Sequence, residues 1–594
     1  MHISMWPDRA IAWANRLSER QLFWLIMGLA ALLIFWGLGL RSPWPADEPR
    51  FAEIAREMVD SGQWLIPRRG GEFYPDKPPV FMWTIALFYK ITGNLRLAFL
   101  LPSALCALIT AALVFDLGRR FRNAQTGALA VILLLFAPQF LIQAKSAQID
   151  AMIACWVTVG CYGLSRHFFE RPNWGLYFTA WGFMGLGIIT KGVGFLPLLM
   201  LIPIGLLALN KRHDFGPSLS WRCAAGPLVM LLVVAAWLVP MLMHVDQLDT
   251  AAAYAYRDNI LLQQTAERYT DTWTHLNPWH YFVSSVIPVL WFPLPLIAIA
   301  RWRELAENLK TRPLLMTWFV WVVLVILFFS ASPGKRGVYI LPALPVFALV
   351  LATAVRDWRS VRWLSMTLTA VHLLLAVTLA AVMIMVWLDH PLLMNRLRDY
   401  NNDPDNLSLI TTFIFSVALT WIASLILFWR SAADARLFVA LMVSFVLYSS
   451  LGYMALEPIR TPRDVLANTE DFLPPDSQLG LSAFKEQFIL FSRLDVTHFS
   501  YLADPAEQER NAWRWQDEGS DRYLLVSDNL ELTCFSTDSA PVMGVAHRAR
   551  WLILGREQRL AGCKAPIQEQ QFTTQTPGHW QSRKPRNGSV TLIK

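Results

Sequence analysis

Charge is scarce in this chain. Of its 594 residues only 16% are Asp, Glu, Lys or Arg, while 55% are hydrophobic. A water-soluble chain of this length would divide into several domains and carry more charge, so the composition excludes an ordinary soluble protein. Cysteine is equally sparse, with six residues. Cys106, Cys155, Cys161 and Cys223 fall inside apolar blocks, where a small buried thiol needs no special role. Cys534 and Cys563 stand in a polar tail and would be able to pair if that tail lies outside the cell. The sequence has no Walker loop, no dinucleotide fingerprint and no nucleophile elbow. It has no HExxH spacing for a metal and no long basic tract for nucleic acid. The missing nucleotide site argues against an ATP-driven pump.

What is present is a series of apolar blocks of the length that crosses a hydrocarbon core of ~30 Å as helix. About 13 spans are expected, at residues 22–40, 95–116, 124–143, 149–166, 174–190, 192–209, 224–243, 280–300, 314–331, 338–355, 361–387, 408–429 and 435–455. The first block lacks a small-residue cleavage pattern and reads as a retained anchor. The short block 79–92 reads as re-entrant or interfacial. Basic residues before the first span and after the second, sixth, eighth, tenth and twelfth all fall on one side, which the positive-inside rule makes cytoplasmic. That places the N-terminus inside, and the loops 41–94 and 244–279 and the C-terminal tail outside. The expected fold is thus a polytopic α-helical unit over residues 1–455, followed by a small extracytoplasmic α/β domain over 456–594. In that tail "SQLGLSAF", "EQFILFS", "DRYLLVSD", "RWLILG" and "SVTLI" read as strands and Pro505–Trp515 as helix.

The first outer loop gathers acids and bases: Asp47 and Glu48, then Arg50, Glu53 and Arg56, then Tyr74, Asp76 and Lys77 held extended by Pro78 and Pro79. Cations there would neutralise a phosphate, and an acid would accept a proton or orient a sugar; the plain alternative is a solvated loop with fortuitous charges. Lys145, Asp150, Lys191, Lys335 and Arg336 stand at outer span ends. Cations there oppose the positive-inside bias, and the alternative is snorkelling to headgroups. The second outer loop adds Arg257, Glu267, Arg268, His275 and His280, of which Arg268 joins the phosphate-binding set.

The stretch "ADEPRFAEIAREMVDSGQWLIPRRGGEFYPDKPPVFMW" resembles the first periplasmic loop of the bacterial aminoarabinose lipid A transferases. These are polytopic enzymes of the GT-C class, related more distantly to protein O-mannosyltransferases. The resemblance continues through "AKSAQIDAM", "ITKGVG" and "SPGKRGVYILPALPVFAL" and covers most of the chain to about residue 355. It implies that Asp47 is the essential acid, with Glu48 beside it and Asp150 a further important acid. It implies that Arg50, Lys77 and Lys191 serve the polyprenyl phosphate donor site, that Tyr74 and Tyr339 line it, and that Lys335 is the basic residue before the tyrosine. No cofactor is required by the resemblance; a divalent metal would draw on Asp76, which stands where the aminoarabinose enzymes commonly carry Glu, and on His275. The Glu-His pair of their second large loop is not evident here.

The implied activity is inverting transfer of a sugar, 4-amino-4-deoxy-L-arabinose among the choices, from undecaprenyl phosphate to lipid A or another envelope acceptor at the outer face of a bacterial inner membrane. A protein O-mannosyltransferase-like activity is the alternative within the enzymes, and a lipid or glycan transporter the alternative outside them. A transporter would carry polar residues near span centres, whereas these charges gather at outer ends.

Overall fold

The computed structural model of the chain describes residues 6–14, 16–262, 276–355, 357–400 and 403–574. Each apolar block marked in the sequence is built mainly of helix. Among the described residues seven helices are long and apolar enough to cross a membrane, or up to nine if each of two bent pairs counts as one span. The bent pairs are Ala124–Phe136 with Pro138–Ala144, at 77°, and Phe282–Leu290 with Leu294–Ala300, at 104°. Pro138 and Pro293 stand at the breaks, where a missing N–H and a ring clash end a regular helix.

Four blocks fall outside that set, each for a visible reason. Helix α1 (Trp6–Ala14) leads into α2 (Glu19–Phe35), which is 17 residues long. Ile149–Phe169 carries Asp150 in its first turn and Arg166 and His167 in its last. Trp174–Lys191 ends on a lysine, and residues 192–209 divide into the 3-10 segment Leu196–Met200 and the helix Leu201–Leu209. The block at 79–92 is a single 13-residue helix, short of the ~20 residues a span needs. Most of Gly337–Ala354 is buried inside the bundle, whereas the apolar stretches of Arg362–Trp387 and Gly216–Leu248 are mostly unburied and turn apolar side chains outward, as lipid contact favours.

The first outer loop folds as helix α3 (Glu48–Ser61), a hairpin of β1 (Arg68–Arg69) and β2 (Glu72–Phe73), and helix α4 (Val80–Thr92). Pro49 in the first turn of α3 presets the helical φ, and Asp47 and Glu48 sit at the end where backbone N–H groups favour negative charge. Gly62 closes α3 in the left-handed conformation. Gly70 and Gly71 turn the hairpin, both at positive φ, as a two-residue loop requires.

The tail is a mixed six-stranded sheet in the order β6-β7-β5-β3-β4-β8. Its strands are β3 (Gln478–Leu481), β4 (Val496–His498), β5 (Arg522–Ser527), β6 (Val542–Ala546), β7 (Ala549–Leu554) and β8 (Phe572–Thr574). β3 pairs in parallel with β4 and β5, and the other pairs are antiparallel. One correction is needed: "EQFILFS" is helix, Glu486–Phe491, buried along its whole length between the sheet and the first loop. "SVTLI" lies outside the described residues. On the opposite face, the helix Pro505–Asp517 lays Trp515 against Phe499, Leu524 and Leu552. A disulfide joins Cys534 to Cys563.

The tail grips the hairpin. His498 Nε2 donates to the Gly70 carbonyl at 2.7 Å, Glu72 accepts from Ser500 Oγ and the Tyr501 N–H, and Tyr501 donates to the Phe73 carbonyl. Burial pushes His498 down to about 4, so it is neutral at neutral pH and suited to that contact. A Cβ on Gly70 would lie 2.6 Å from His498 Nε2, at a φ of +63°. Gly70→Ala is therefore expected to weaken this docking by at least about 1–2 kcal/mol. The check is trypsin cleavage after Arg68 or Arg69 in detergent, which should accelerate; an unchanged rate would show that the hairpin does not depend on the contact.

Candidate active site

Asp47 caps α3 through its backbone position alone, and its side chain makes no capping hydrogen bond. The carboxylate turns instead to two guanidiniums: Arg336 Nη2 donates to Oδ2 at 3.2 Å, and Arg50 Nη1 lies 3.8 Å from Oδ1. Burial would lower the Arg336 guanidinium, but Asp47, then Asp150 and Tyr339, outweigh it and raise the group. The next layer is the Asp150–Lys191 ion pair, Asp150 buried and Lys191 half-buried. Lys191 Nζ also sits 4.8 Å from the centre of the Tyr339 ring, a cation–π contact. Gln139 fixes the segment bearing Tyr339 by donating to the Gly337 carbonyl at 2.8 Å while accepting from Trp291 Nε1 at 2.6 Å.

Arg50 continues the chain of charges toward the tail. Its Nε lies 3.4 Å from Glu486 Oε1, and the same oxygen is 2.5 Å from Arg69 Nε. Tyr74 is fully buried beside Arg50. Burial pushes its phenol up strongly, Asp76 adds to that, and Arg50 opposes it. Lys77 is half-buried and donates to the Asp76 carbonyl at 2.7 Å.

Two sequence expectations change here. Lys335 does not face this cluster. It is buried, with Nζ donating to the Asn277 carbonyl at 2.9 Å, and Asn277 returns a bond to the Lys335 carbonyl at 3.1 Å. Arg336 has extended dihedrals, so neighbouring side chains point opposite ways, and it is Arg336 that reaches Asp47. Glu48 is separated from Asp47 by the rotation of the helix start, where Asp47 is already in the right-handed helical conformation. Its carboxylate is buried and accepts from Arg41 (Nη2 at 2.7 Å), the Trp44 N–H at 2.9 Å and the Ala147 N–H at 2.9 Å. A carboxylate with its lone pairs so occupied acts as a brace. Sequence reasoning passed over Arg41 and Glu486; Arg41, a cation at an outer span end, carried the same signal as Lys145, while Glu486 carried none.

Arg268 and His275 lie outside the described residues. Among the described residues no three His, Cys, Asp or Glu side chains are grouped to hold a metal. Asp76 by itself does not make such a site.

A cavity of about 440 Å³ opens on Asp47, walled by Arg41, Trp44, Lys145, Gln148 and Tyr448. Acids and cations gather at one end of a mainly helical membrane fold, and the comparisons with known proteins support the resemblance to GT-C glycosyltransferases of the aminoarabinose transferase type. Residues 76–239 match the family described as dolichyl-phosphate-mannose-protein mannosyltransferase. An undecaprenyl phosphate-alpha-4-amino-4-deoxy-L-arabinose arabinosyl transferase of Pseudomonas fluorescens (strain Pf0-1) is 28% identical over 61% of this chain and 63% of its own. A second transferase of that name and strain is 26% identical over 84% of each chain. The chain thus spans 60 to 66% of the length of the first three such relatives it matches. The crystal structure of ArnT from Cupriavidus metallidurans bound to undecaprenyl phosphate shares the fold, with a TM-score of 0.65 at 19% identity over 91% of this chain and 98% of that one.

Lys145 offers a test of the cavity wall. It lies in the turn between two helices, 4% exposed, with Nζ donating to the Trp36 carbonyl at 2.6 Å. Burial, with Arg41 nearby, pushes its ammonium down to about 7. An unfolded lysine titrates near ~10.4, so between these values the unfolded chain holds a proton the folded chain has released, and stability rises with pH. From pH 7 to 9 the wild type should gain about 2 kcal/mol relative to Lys145→Met. Melting in detergent at a series of pH values checks this; parallel curves would place the ammonium in water.

Proposed function

We propose that this chain is an inverting glycosyltransferase that moves a sugar from a polyprenyl phosphate to an acceptor at the membrane surface. The observation that carries the reading is the Arg336–Asp47–Arg50 group set against the Asp150–Lys191–Tyr339 group beside a cavity at one end of the helical bundle. In the reaction the bond from the anomeric carbon to the phosphate oxygen breaks. The acceptor oxygen bonds to that carbon from the opposite face, and the polyprenyl phosphate leaves with the electron pair. Arg336, Arg50 and Lys191 stabilise the charge growing on the phosphate, and Lys77 belongs to the same donor set. If the acceptor is a hydroxyl, Asp47 takes its proton; if it is already an anionic phosphate, Asp47 orients the sugar or its amine. Glu48 holds the loop and takes no proton.

The names of the relatives support undecaprenyl phosphate as carrier and 4-amino-4-deoxy-L-arabinose as sugar, while lipid A as acceptor rests on the motif resemblance. The mannosyltransferase family match favours a second reading, transfer to a protein hydroxyl. We further propose about 13 spans in a bacterial inner membrane, since the shorter and bent helices occupy the remaining apolar blocks. The one-sided basic loops support an inside N-terminus, and the Cys534–Cys563 disulfide supports a periplasmic tail. A divalent metal would need donors from the second outer loop, His275 among them.

Mass spectrometry of lipid A, envelope glycans and surface proteins from cells with and without the gene separates the two readings. In purified membranes Asp47→Asn should slow transfer by about 10²–10⁴ if Asp47 is a general base. Arg336→Gln should cost roughly 10²–10³, while Lys335→Met should keep its rate and lose stability. A Lys335 variant slower than the Arg336 variant would reverse the assignment.

A further inference from the structure

A second cavity, of about 1180 Å³, lies at the far end of the bundle from Asp47. It is formed by the first half of α2, the helix Ala124–Phe136, the start of the helix Ala433–Leu447 and residues of α1. Asp47 follows the other end of α2, and Lys145 touches the carbonyl of Trp36 there, so the two cavities sit at opposite ends of one helix. The volume exceeds the ~300–1,000 Å³ of most compact-ligand pockets. Its walls are apolar, with Leu25, Leu129 and Phe438 among them, and Phe136 and Phe438 meet edge to face at 5.3 Å. Its rim is charged. Arg9, Arg122 and Arg359 stand there against Asp357 and Asp434, with Trp13 and Trp358 beside them. Arg359 already answers Asp434 at 2.9 Å and Asp8 at 3.4 Å. Arg9 is exposed and makes no ion pair among the described residues.

We infer that this cavity binds an anionic glycerophospholipid of the leaflet the basic loops face, its acyl chains between α2 and the helix Ala433–Leu447 and its phosphate at Arg9 and Arg122. Basic pockets between membrane helices on that side take anionic headgroups, while Trp at the same depth suits the interface. Counting Asp8, which pairs with Arg359, and Arg436, which lies in the field of Asp8, the rim carries four guanidiniums against three carboxylates and stays positive. A neutral lipid would fill the walls equally well but leave that charge unanswered. A donor lipid with its phosphate at the Asp47 end would bring its apolar tail here, and no anionic group to these arginines. The bound lipid joins the helix Ala433–Leu447 to α2 and Ala124–Phe136, filling a seam that protein side chains leave open.

The test uses the full chain purified in detergent and stripped of lipid by exchange. Phosphatidylglycerol or phosphatidylcholine is added back, and retention is read by native mass spectrometry and by melting. Phosphatidylglycerol should be retained about fivefold or more over phosphatidylcholine and should raise the melting temperature. Arg9→Gln should lose roughly fivefold of that preference and Arg9→Gln/Arg122→Gln more, at about 1 kcal/mol per arginine. Arg9 is exposed, so its replacement leaves the fold intact. Leu129→Trp, which fills the wall, should lower retention of both lipids. Equal retention of the two lipids, or full preference in the double variant, would overturn the inference. So would displacement of phosphatidylglycerol by polyprenyl phosphate, which would give the cavity to the donor chain.

Discussion

The buried Arg41–Glu48 ion pair holds the first outer loop to the bundle, and the geometry around Asp47 depends on it. Two charges taken out of water cost several kcal/mol each unless their remaining hydrogen-bonding groups are met. Here they are largely met. Arg41 also donates to the Lys145 carbonyl at 2.8 Å and lies over the rings of Trp44 and Tyr453, at 4.7 and 5.1 Å. Glu48 takes backbone N–H groups from both sides, Trp44 and Ala147. Beside it Glu457 accepts from the Ser42 N–H and from Trp44 Nε1, bringing the last membrane helix to the same point. The exit of α2, the turn at 145–148 and residue 457 are thereby fixed together. Asp47 is carried on that frame by one peptide unit.

Charge is then distributed in a graded way. In the frame the charges are paired and dry; beside it Asp47, Arg50 and Arg336 are only partly buried and at longer separations of 3.2 and 3.8 Å. Short, dry pairs resist rearrangement, whereas a guanidinium more than 3 Å from its partner can transfer its allegiance to an incoming anion at small cost. Rigidity and responsiveness are thus separated by a few residues of sequence.

Much of this was legible in the sequence, and the reasons for the rest are physical. Apolar run length found the helical blocks because backbone polar groups in lipid leave few alternatives, but the sharp bends at Pro138 and Pro293 belong to local packing that run length does not encode. Asp47 lies beside Arg50, and Asp150 beside Lys191 and Tyr339, residues that the motifs already set apart in the sequence. The choice between Lys335 and Arg336 was not legible, since it turns on which way an extended backbone presents two adjacent cations. Asp47 and Glu48 present a like ambiguity among acids, at a helix start. Glu486 was hidden more deeply. It lies in a segment buried on every side, and such a segment has no periodicity to tell helix from strand.

The hydrogen bonds from β4 and its following turn to the glycine hairpin, with the Glu486 carboxylate shared by Arg50 and Arg69, bear on how such a chain can change over evolutionary time. The tail is not an interchangeable module attached to the membrane body. It and the hairpin form one interlocking surface whose halves are more than 400 residues apart in sequence, so divergence in one half constrains the other. A tail taken from another chain would have to bring its own hairpin with it, since each half supplies the hydrogen-bonding partners of the other.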